Sequence, residues 1–590
     1  ERAAVDHAID HSFVREAVMP ERKVLTEALK RGLGTLIVEK TARELKERPL
    51  IRSEVDGRAM ATTKNMLASE KKLVEFARDG RGRCRPLGDP KRPCSRPWFN
   101  EGQKAAVAHV LGSRDRVMAI RGVAGTGKTT LEQEIGEAVR ESGRPVVALA
   151  QGSSASRDVL RKEAGFESAD TVARFLRDEQ MQQSARDGVI LVDEASQLGS
   201  HDMLDVFRIA EEKNARVLLV GDRRQHRSVT AGEPLKLLEK RAGLPVAELG
   251  DILRQQGDYK KVAKLLSEGE AELAFELLDK LGWIREAPDG ERNQQIASAY
   301  ISAVAEKKKH GEHKSALVVA PTHAEGTAIT SAIRAQLKEH GELKGERIVT
   351  SWVSAKLTEA QRTDPTEYNQ GDMVQFQQNA KGYTKGARIA ISDGVAVPVE
   401  MAKRFELYRP QPMALAEGDR IRVTAGGKTK DGKHRLSTGA LFTVEGFTKH
   451  GDIVVDHGWV IDRDFGHIAH GYVVTSHASQ GKTVDKVIVA ISSQSLPATD
   501  QRTAYVAVTR GKEQALVFTD NHEELMLAVQ RGDRAMSATE LAELAKPESG
   551  SASPKRIRFG RIAGLFASGN DRPTPELTVQ QTSQELSHDR

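Results

Sequence analysis

Cysteine is almost absent from this chain of 590 residues. Only Cys84 and Cys94 occur, and they do not form a Cys-x-x-Cys pair. A disulfide framework is therefore excluded, and two cysteines without histidine partners make no structural zinc site. A reducing cytoplasm is the expected setting. No run approaches the ~18 consecutive apolar residues of a membrane span, and no secretory leader opens the chain. The first residue is Glu1 rather than methionine, which suggests a piece of a longer polypeptide. Aromatic residues make up only 4%, so platforms on which bases could stack are few. Trp352, Tyr383 and Phe447 are the candidates, with core packing as the competing use of each ring. There is no His-x-His and no cluster of three histidines. The pairs His7/His11 and His467/His470 read as structural rather than metal-binding. Charge of one sign is scarcely in excess: 89 Lys and Arg against 83 Asp and Glu leave +6, which permits a polyanionic partner without requiring one.

What is present is an ordinary globular mixture, 39% apolar and 29% charged, long enough for about four domains. Residues 1–95 read as mostly helix, with apolar residues at three- and four-residue steps in Ala17–Arg31 and Met66–Arg78. Gly80–Pro97 is rich in Gly, Pro and Arg and reads as a linker. Short apolar runs then alternate with helical stretches: Val117–Ile120, Pro145–Ala150, Gly188–Val192 and Val217–Val220. The rhythm pauses after about residue 256 and returns at Ala316–Ala320, Val473–Thr475, Val487–Ile491 and Ala515–Phe518. Strands this apolar are buried on both faces, as in parallel sheets. Two α/β layers are expected, the second split by an insertion over roughly 335–470. The insertion is dense in Gly and β-branched residues and contains an echo: Gly371-Asp372-Met-Val-Gln-Phe and Gly418-Asp419-Arg-Ile-Arg-Val each open with a Gly-Asp turn and then alternate. A small β-barrel module is expected there. Residues 546–590, rich in Ser, Pro, Thr and Gln, read as a disordered tail around a basic-apolar segment, Lys555–Phe566.

Three motifs carry chemistry. Gly122-Val-Ala-Gly125-Thr126-Gly127-Lys128-Thr129 fits GxxxxGK[ST] between an apolar run and a helical stretch, the context that motif needs. Backbone N–H groups and a helix N-terminus would cradle phosphates, Lys128 would reach the β- and γ-phosphates, and Thr129 would ligate Mg²⁺. Asp193-Glu194 ends a second apolar run, where one acid can hold the Mg²⁺ shell and its neighbour can orient the attacking water. Gly221-Asp222-Arg-Arg-Gln225 ends a third, at the strand ends where ligands of open α/β sheets sit. Gln225 would sense the γ-phosphate. Together they predict a nucleoside triphosphatase.

The later segments specify more. Val473-Val-Thr475-Ser-His477-Ala-Ser-Gln480-Gly481 and Tyr505-Val-Ala-Val-Thr509-Arg510 follow in order. With Asn100-Glu-Gly-Gln103, Val146–Ala155, Ala169-Asp-Thr171, Leu253-Arg254-Gln255 and Ala320-Pro-Thr322, they resemble the motif series of RecD-like superfamily 1 helicases of the 5′-to-3′ branch. His11-Ser-Phe-Val-Arg-Glu, Pro20-Glu-Arg and Ala61-Thr-Thr-Lys64 resemble the segment ahead of the motor in conjugative relaxases of the TraI/TrwC type. One departure stands at motif Ia, where Ala150-Gln-Gly-Ser153 replaces Ala-Pro-Thr. The resemblance implies an N-terminal helical region (1–95), a first RecA-like ATPase domain (96–256), a second begun at 257–334 and completed at 471–545, and a β-rich, SH3-like DNA clamp inserted at 335–470. It implies ATP and Mg²⁺ as cofactors. It places Gln103 at the adenine edge and Gly122, Gly125, Thr126, Gly127, Lys128, Thr129, Thr130 and Gly481 around the nucleotide. Thr129 and Asp193 become the metal ligands, and Lys128, Asp193, Glu194, Gln225, Arg254 and Arg510 the catalytic set, the two arginines acting as fingers. Ser153, Thr171, Thr475 and His477 become the contacts to single-stranded DNA, and the basic loops Lys381–Lys385 and Lys428–Lys433 candidates for the clamp. Implied partners are single-stranded and tailed duplex DNA, a relaxase domain upstream carrying the transesterase chemistry, and the coupling protein and channel of a type IV secretion system. A RecD-like repair helicase and a non-catalytic single-strand-binding module remain the alternatives.

Overall fold

The computed structural model describes residues 1–151, 155–392, 394–532 and 535–545. The tail expected at 546–590 and Ser153 lie outside the described residues. Among them no helix is long and apolar enough to cross a membrane.

Two parallel sheets form the frame. The first runs in the order Asp170–Thr171, Val146–Ala150, Val189–Asp193, Arg216–Gly221, Val117–Gly122, Val246–Leu249. Its side chains alternate between two cores. Ala119, Leu149, Ile190, Val192 and Leu219 enter one; Ile120, Ala148, Leu191, Leu218 and Val220 enter the other. Each such buried Val, Leu or Ile contributes about 1.5–3 kcal/mol, which is why these runs are apolar throughout. The second sheet runs Ile284–Glu286, Gly511–Thr519, Val484–Ala490, Ala316–Ala320, Val473–Thr475, again all parallel and again shared between two cores. Three strands escaped the sequence reading: Val246–Leu249, Ile284–Glu286 and Asp170–Thr171. Each is at most four residues long and lies at a sheet edge, too short for a period to show.

The N-terminal region holds the helices Arg2–Ser12, Glu21–Arg31, Val38–Glu47 and Lys64–Asp79 and, beside them, a strand pair that the helical reading missed. Leu50–Val55 and Arg58–Thr63 pair as a hairpin across Asp56 and Gly57, both at positive φ, the two-residue turn that Asp-Gly favours. Pro20 precedes the second helix, which is therefore Glu21–Arg31 rather than Ala17–Arg31. Helix Lys64–Asp79 gives Leu73, Val74 and Ala77 to the first sheet's core, and Phe76 stacks on Phe207 at 4.6 Å. On its other side the region meets the insertion: Arg31 pairs with Asp364 at 2.9 Å, and His11 Nδ1 lies 2.9 Å from Thr358 Oγ1. The segment read as a linker is pinned, because Arg92 and Arg96 both bind the buried Glu134 at 2.7 and 2.6 Å.

Between Ala320 and Val473 the chain builds a two-stranded ribbon, Gly427–Lys428 with Arg435–Leu436, and two larger antiparallel sheets. One pairs Lys344–Ser354, Phe405–Glu417, Met373–Phe376 and Arg388–Ala390; the other orders Trp459–Ile461, Ile453–Val455, Leu441–Phe447, Arg420–Val423, Ile468–His470. Strand Phe405–Glu417 serves both cores, Phe405 and Leu407 entering one and Met413 and Leu415 the other. The two Gly-Asp echoes open one strand in each sheet. Both glycines have positive φ, and each aspartate accepts an N–H three residues back, from Asn369 and Ala416. Asp419 also takes a two-pronged pair from Arg334 at 2.9 and 2.8 Å and a hydrogen bond from Tyr472. Arg334 lies on helix His323–Glu339 of the second α/β layer, so this buried pair fixes the insertion to the layer that carries it. Asp419→Ala is expected to cost about 3 kcal/mol, since it leaves a buried guanidinium with Glu346 as its remaining partner. The midpoint of thermal unfolding followed by circular dichroism should fall; an unchanged midpoint would show that the pair anchors nothing.

Candidate functional site

The phosphate loop joins strand Val117–Gly122 to helix Lys128–Glu141. Gly125 and Gly127 have φ of 83° and 77°, and a Cβ on Gly125 would stand 2.7 Å from the Arg254 side chain. Only glycine permits both. No side chain caps the helix, whose first residue is Lys128, so its leading N–H groups are available to an anion. Lys128 Nζ donates to Gly122 O and Val123 O at 2.8 and 3.4 Å; Thr129 and Thr130 follow on the first turn.

Asp193 and Glu194 are both nearly buried. Glu194 sits at φ 51°, a left-handed conformation that costs a non-glycine residue energy and is held by its surroundings. Asp193 Oδ1 accepts the Glu194 N–H at 2.7 Å. Burial, and then the Glu194 charge, push the Asp193 carboxyl up to about 7. A third acid, Glu132, is fully buried on the phosphate-loop helix and is raised by burial and by Asp193. Apart from the neighbouring Asp193 carboxyl, its oxygens have no hydrogen-bond partner. The charges of Asp193 and Glu194 bear on Glu132, and Lys128 is the neighbouring cation. Among the described residues no three acidic, histidine or cysteine side chains are grouped as a metal site of their own, so a divalent cation here would need oxygens from a bound nucleotide. The sequence signal for Glu132 was its i,i+4 spacing from Lys128, which sets both on one helix face.

The second α/β layer reaches into this site. Tyr505 OH accepts the Ala124 N–H of the phosphate loop and donates to Asp222 Oδ2, both at 2.8 Å. Gln225 Nε2 donates to Asp222 at 3.2 Å, and its buried Oε1 is unpartnered. Gln480 Nε2 donates to Glu194 Oε2 at 3.1 Å; Gly481 follows at φ 79°. Arg254 Nη1 and Gln255 Nε2 donate to Thr509 O. Arg510 is buried, with Nε on Val506 O and Nη2 on Thr509 Oγ1. Burial lowers its pKa, and Glu194 is the first charge to oppose that. Burial and Arg510 bring Arg254 down to about 10. Tyr505 and Gln480 lay within segments singled out in the sequence, yet their bridging roles depend on partners 381 and 286 residues away.

Gln103, expected at the adenine edge, is engaged within the protein. Its Oε1 accepts from Asn100 N and its own N–H bonds Asn100 Oδ1, a capping box, while Nε2 donates to Thr126 O at 3.3 Å. The amide therefore braces the helix start and the loop. Thr171 and Thr475 end the edge strands of the two sheets, and each hydroxyl caps the short helix that follows. His477 is exposed and stacks at 3.7 Å on the buried His226, whose Nε2 pairs with Ser476 Oγ at 2.7 Å. These rings line a cavity of about 710 Å³ where the N-terminal region meets both α/β layers. Of the aromatic candidates, Tyr383 stacks on Phe376 at 4.4 Å and Phe447 lies under Arg347. Trp352 packs its ring against Gly466, in the space a Cβ there would occupy. Lys430, in the second basic loop, is engaged by Asp452 at 2.7 Å.

The AAA domain family profile matches residues 98–289, and the viral superfamily 1 RNA helicase core domain profile matches 448–519. The multifunctional conjugation protein TraI of Escherichia coli K12 is 23% identical over 557 residues, covering 81% of this chain and 31% of TraI. The probable conjugal transfer protein TraA of Sinorhizobium fredii is 27% identical, covering 71% of this chain and 32% of TraA. The ATP-dependent RecD2 DNA helicase of Deinococcus radiodurans is 30% identical over 44% of this chain and 38% of its own. The chain spans about a third of the length of the curated relatives it matches. It is similar over most of its length to about a third of the TraI and TraA conjugation proteins, and its α/β core matches the AAA domain and superfamily 1 helicase core profiles.

Proposed function

We propose that the chain is the 5′-to-3′ DNA-translocating motor of a conjugative relaxase, unwinding plasmid DNA during transfer. The observation that carries this reading is the cleft itself: groups from the second α/β layer bond directly to the phosphate loop and to Glu194, so opening or closing the cleft must disturb the hydrolytic residues. In this reading 96–256 and 257–334 with 471–545 are two RecA-like halves, and 335–470 is a clamp of SH3-like kind. Lys128 leaves the loop carbonyls for the β- and γ-phosphates. Glu194 orients and deprotonates the attacking water, and Gln225 reports on the γ-phosphate through Asp222 and Tyr505. Arg254 and Arg510 stabilise charge on the transferring group. Thr129 and Asp193 would hold Mg²⁺, which when bound supplies charge neutralisation at the phosphate oxygens. Gly122, Gly125, Thr126, Gly127, Thr130 and Gly481 border the nucleotide, and Gln103 closes the base side.

Thr171 and Thr475 occupy matching places at the ends of the two edge strands. With His477 they would mark a phosphate-tracking path across both layers, tolerant of sequence, and the expected contact at Ser153 lies outside the described residues. A relaxase domain upstream, a type IV coupling protein and a cytoplasmic location belong to the same proposal. The similarity to RecD2 favours a second reading, a repair helicase, and a His-triad transesterase domain encoded upstream of Glu1 would decide between them. ATP turnover measured with and without oligo-dT tests the motor reading. A rise with DNA is expected, and turnover indifferent to DNA counts against translocation.

A further inference from the structure

The chain crosses from the first sheet to the second α/β layer at 250–256, between strand Val246–Leu249 and helix Gly257–Glu268. This crossing holds two parts of the site at once. Its backbone holds the phosphate loop, because the N–H groups of Leu253 and Arg254 both donate to Gly125 O, at 2.8 and 3.2 Å. Its side chains hold the turn that carries Arg510. Helix Gln501–Val508 ends just before that turn, and the last carbonyls of a helix have no partner within it. Here they find donors on the crossing. Gln255 Nε2 donates to Thr509 O at 3.1 Å and to Gly511 O at 2.6 Å, the carbonyls on either side of Arg510. Arg254 Nη1 shares Thr509 O. From the first turn of the following helix, Tyr259 OH donates to Val508 O at 2.5 Å.

Gln255 is 0% exposed. Its two donor bonds are made away from water, where losing them leaves a buried carbonyl unpaired. Its Oε1 has no partner and lies beside the phosphate loop, since a Cβ on Gly125 would stand 3.3 Å from it. One end of this amide thus bonds the Arg510 turn while the other abuts the loop, and its length sets the distance between them. Arg510 itself rests on its own helix, with Nε on Val506 O and Nη2 on Thr509 Oγ1. To act on a phosphoryl group its guanidinium must leave those oxygens. The main chain from which it swings then decides where it arrives. A misplacement of about 1 Å in such a group costs on the order of 10² in rate.

We propose that Gln255 is a positioning residue for hydrolysis, fixing the main chain on both sides of Arg510 at a set distance from the phosphate loop. The proposal rests on the reading of Arg510 as a finger, and a double-mutant cycle separates the two. DNA-stimulated ATP turnover is measured for wild type, Gln255→Met, Arg510→Ala and the double variant, with circular dichroism as the check on folding. Gln255→Met keeps the length of the side chain and removes both donor bonds. It is expected to lower kcat by about 10²-fold with KM for ATP within about threefold, a split that loosened packing alone does not produce. On the Arg510→Ala background the same substitution is expected to cost less than about threefold more, because a residue acting through the finger has nothing left to position. Binding of ADP should be unchanged, and binding of ADP with aluminium fluoride should weaken in step with kcat. Gln255→Asn is the second variant, should the methionine prevent folding. It keeps the amide but is one methylene too short to bridge both carbonyls, and about a tenfold fall in kcat at unchanged KM is expected. A kcat within about threefold of wild type, in whichever of the two folds, overturns the proposal. A full, multiplicative loss on the Arg510→Ala background overturns it too, while leaving the finger in place. Near wild-type turnover in Arg510→Ala alone removes the finger and this role together.

Discussion

Replacing Glu194 by glutamine, or Lys128 by alanine, is expected to abolish DNA-stimulated ATP turnover while leaving the fold intact. Glu194 is nearly buried and held at positive φ at the end of a strand whose five residues are all buried. The substitution keeps its shape and its contact with Gln480 and removes only the charge and basicity that would activate water. Lys128→Ala removes the ammonium that the loop now holds against Gly122 O and Val123 O. Because Lys128 is also the cation beside Asp193 and Glu132, that variant should further weaken retention of nucleotide, whereas Glu194→Gln should bind it as wild type does. Turnover close to wild type in either variant, with an unchanged circular dichroism spectrum, would remove the paired acids and phosphate loop from the mechanism.

Arg510→Ala is expected to slow hydrolysis far more than it weakens nucleotide binding, by on the order of 10³–10⁵ in rate if it acts as a finger in phosphoryl transfer. Arg510 is 2% exposed and keeps its charge in the cleft against the cost of burial with help from Glu194. Arg254 lies close enough for the two guanidiniums to repel, a penalty that charge developing on a transferring phosphoryl group would relieve. That is differential stabilisation of the transition state over the ground state. Loss of nucleotide affinity at unchanged maximal turnover would reduce Arg510 to a ground-state binder.

The phosphate loop and the paired acids were legible because each follows four consecutive apolar strand residues, Val117–Ile120 and Val189–Val192, and a parallel sheet sends such ends to one crevice. The Asp-Gly turn that makes the Leu50–Thr63 hairpin was equally visible, but the helical period on either side masked it. Tyr505, Gln480 and Gln103 show what local pattern does not carry. Which atom a tyrosine hydroxyl or an amide bonds is settled by tertiary approach, and Gln103 spends its amide on Asn100 and Thr126. The same holds for the cations. Lys428–Lys433 looks basic in isolation, and only folding brings Asp452 to Lys430.

The central claim is a motor that moves 5′ to 3′ on single-stranded DNA, and strand displacement from tailed duplexes tests it most directly. Three substrates with identical duplex regions carry a 5′ tail, a 3′ tail or none, and displacement is followed with ATP present and absent. The account predicts ATP-dependent unwinding of the 5′-tailed duplex, with little on the 3′-tailed or blunt ones. Preference for the 3′ tail would contradict it.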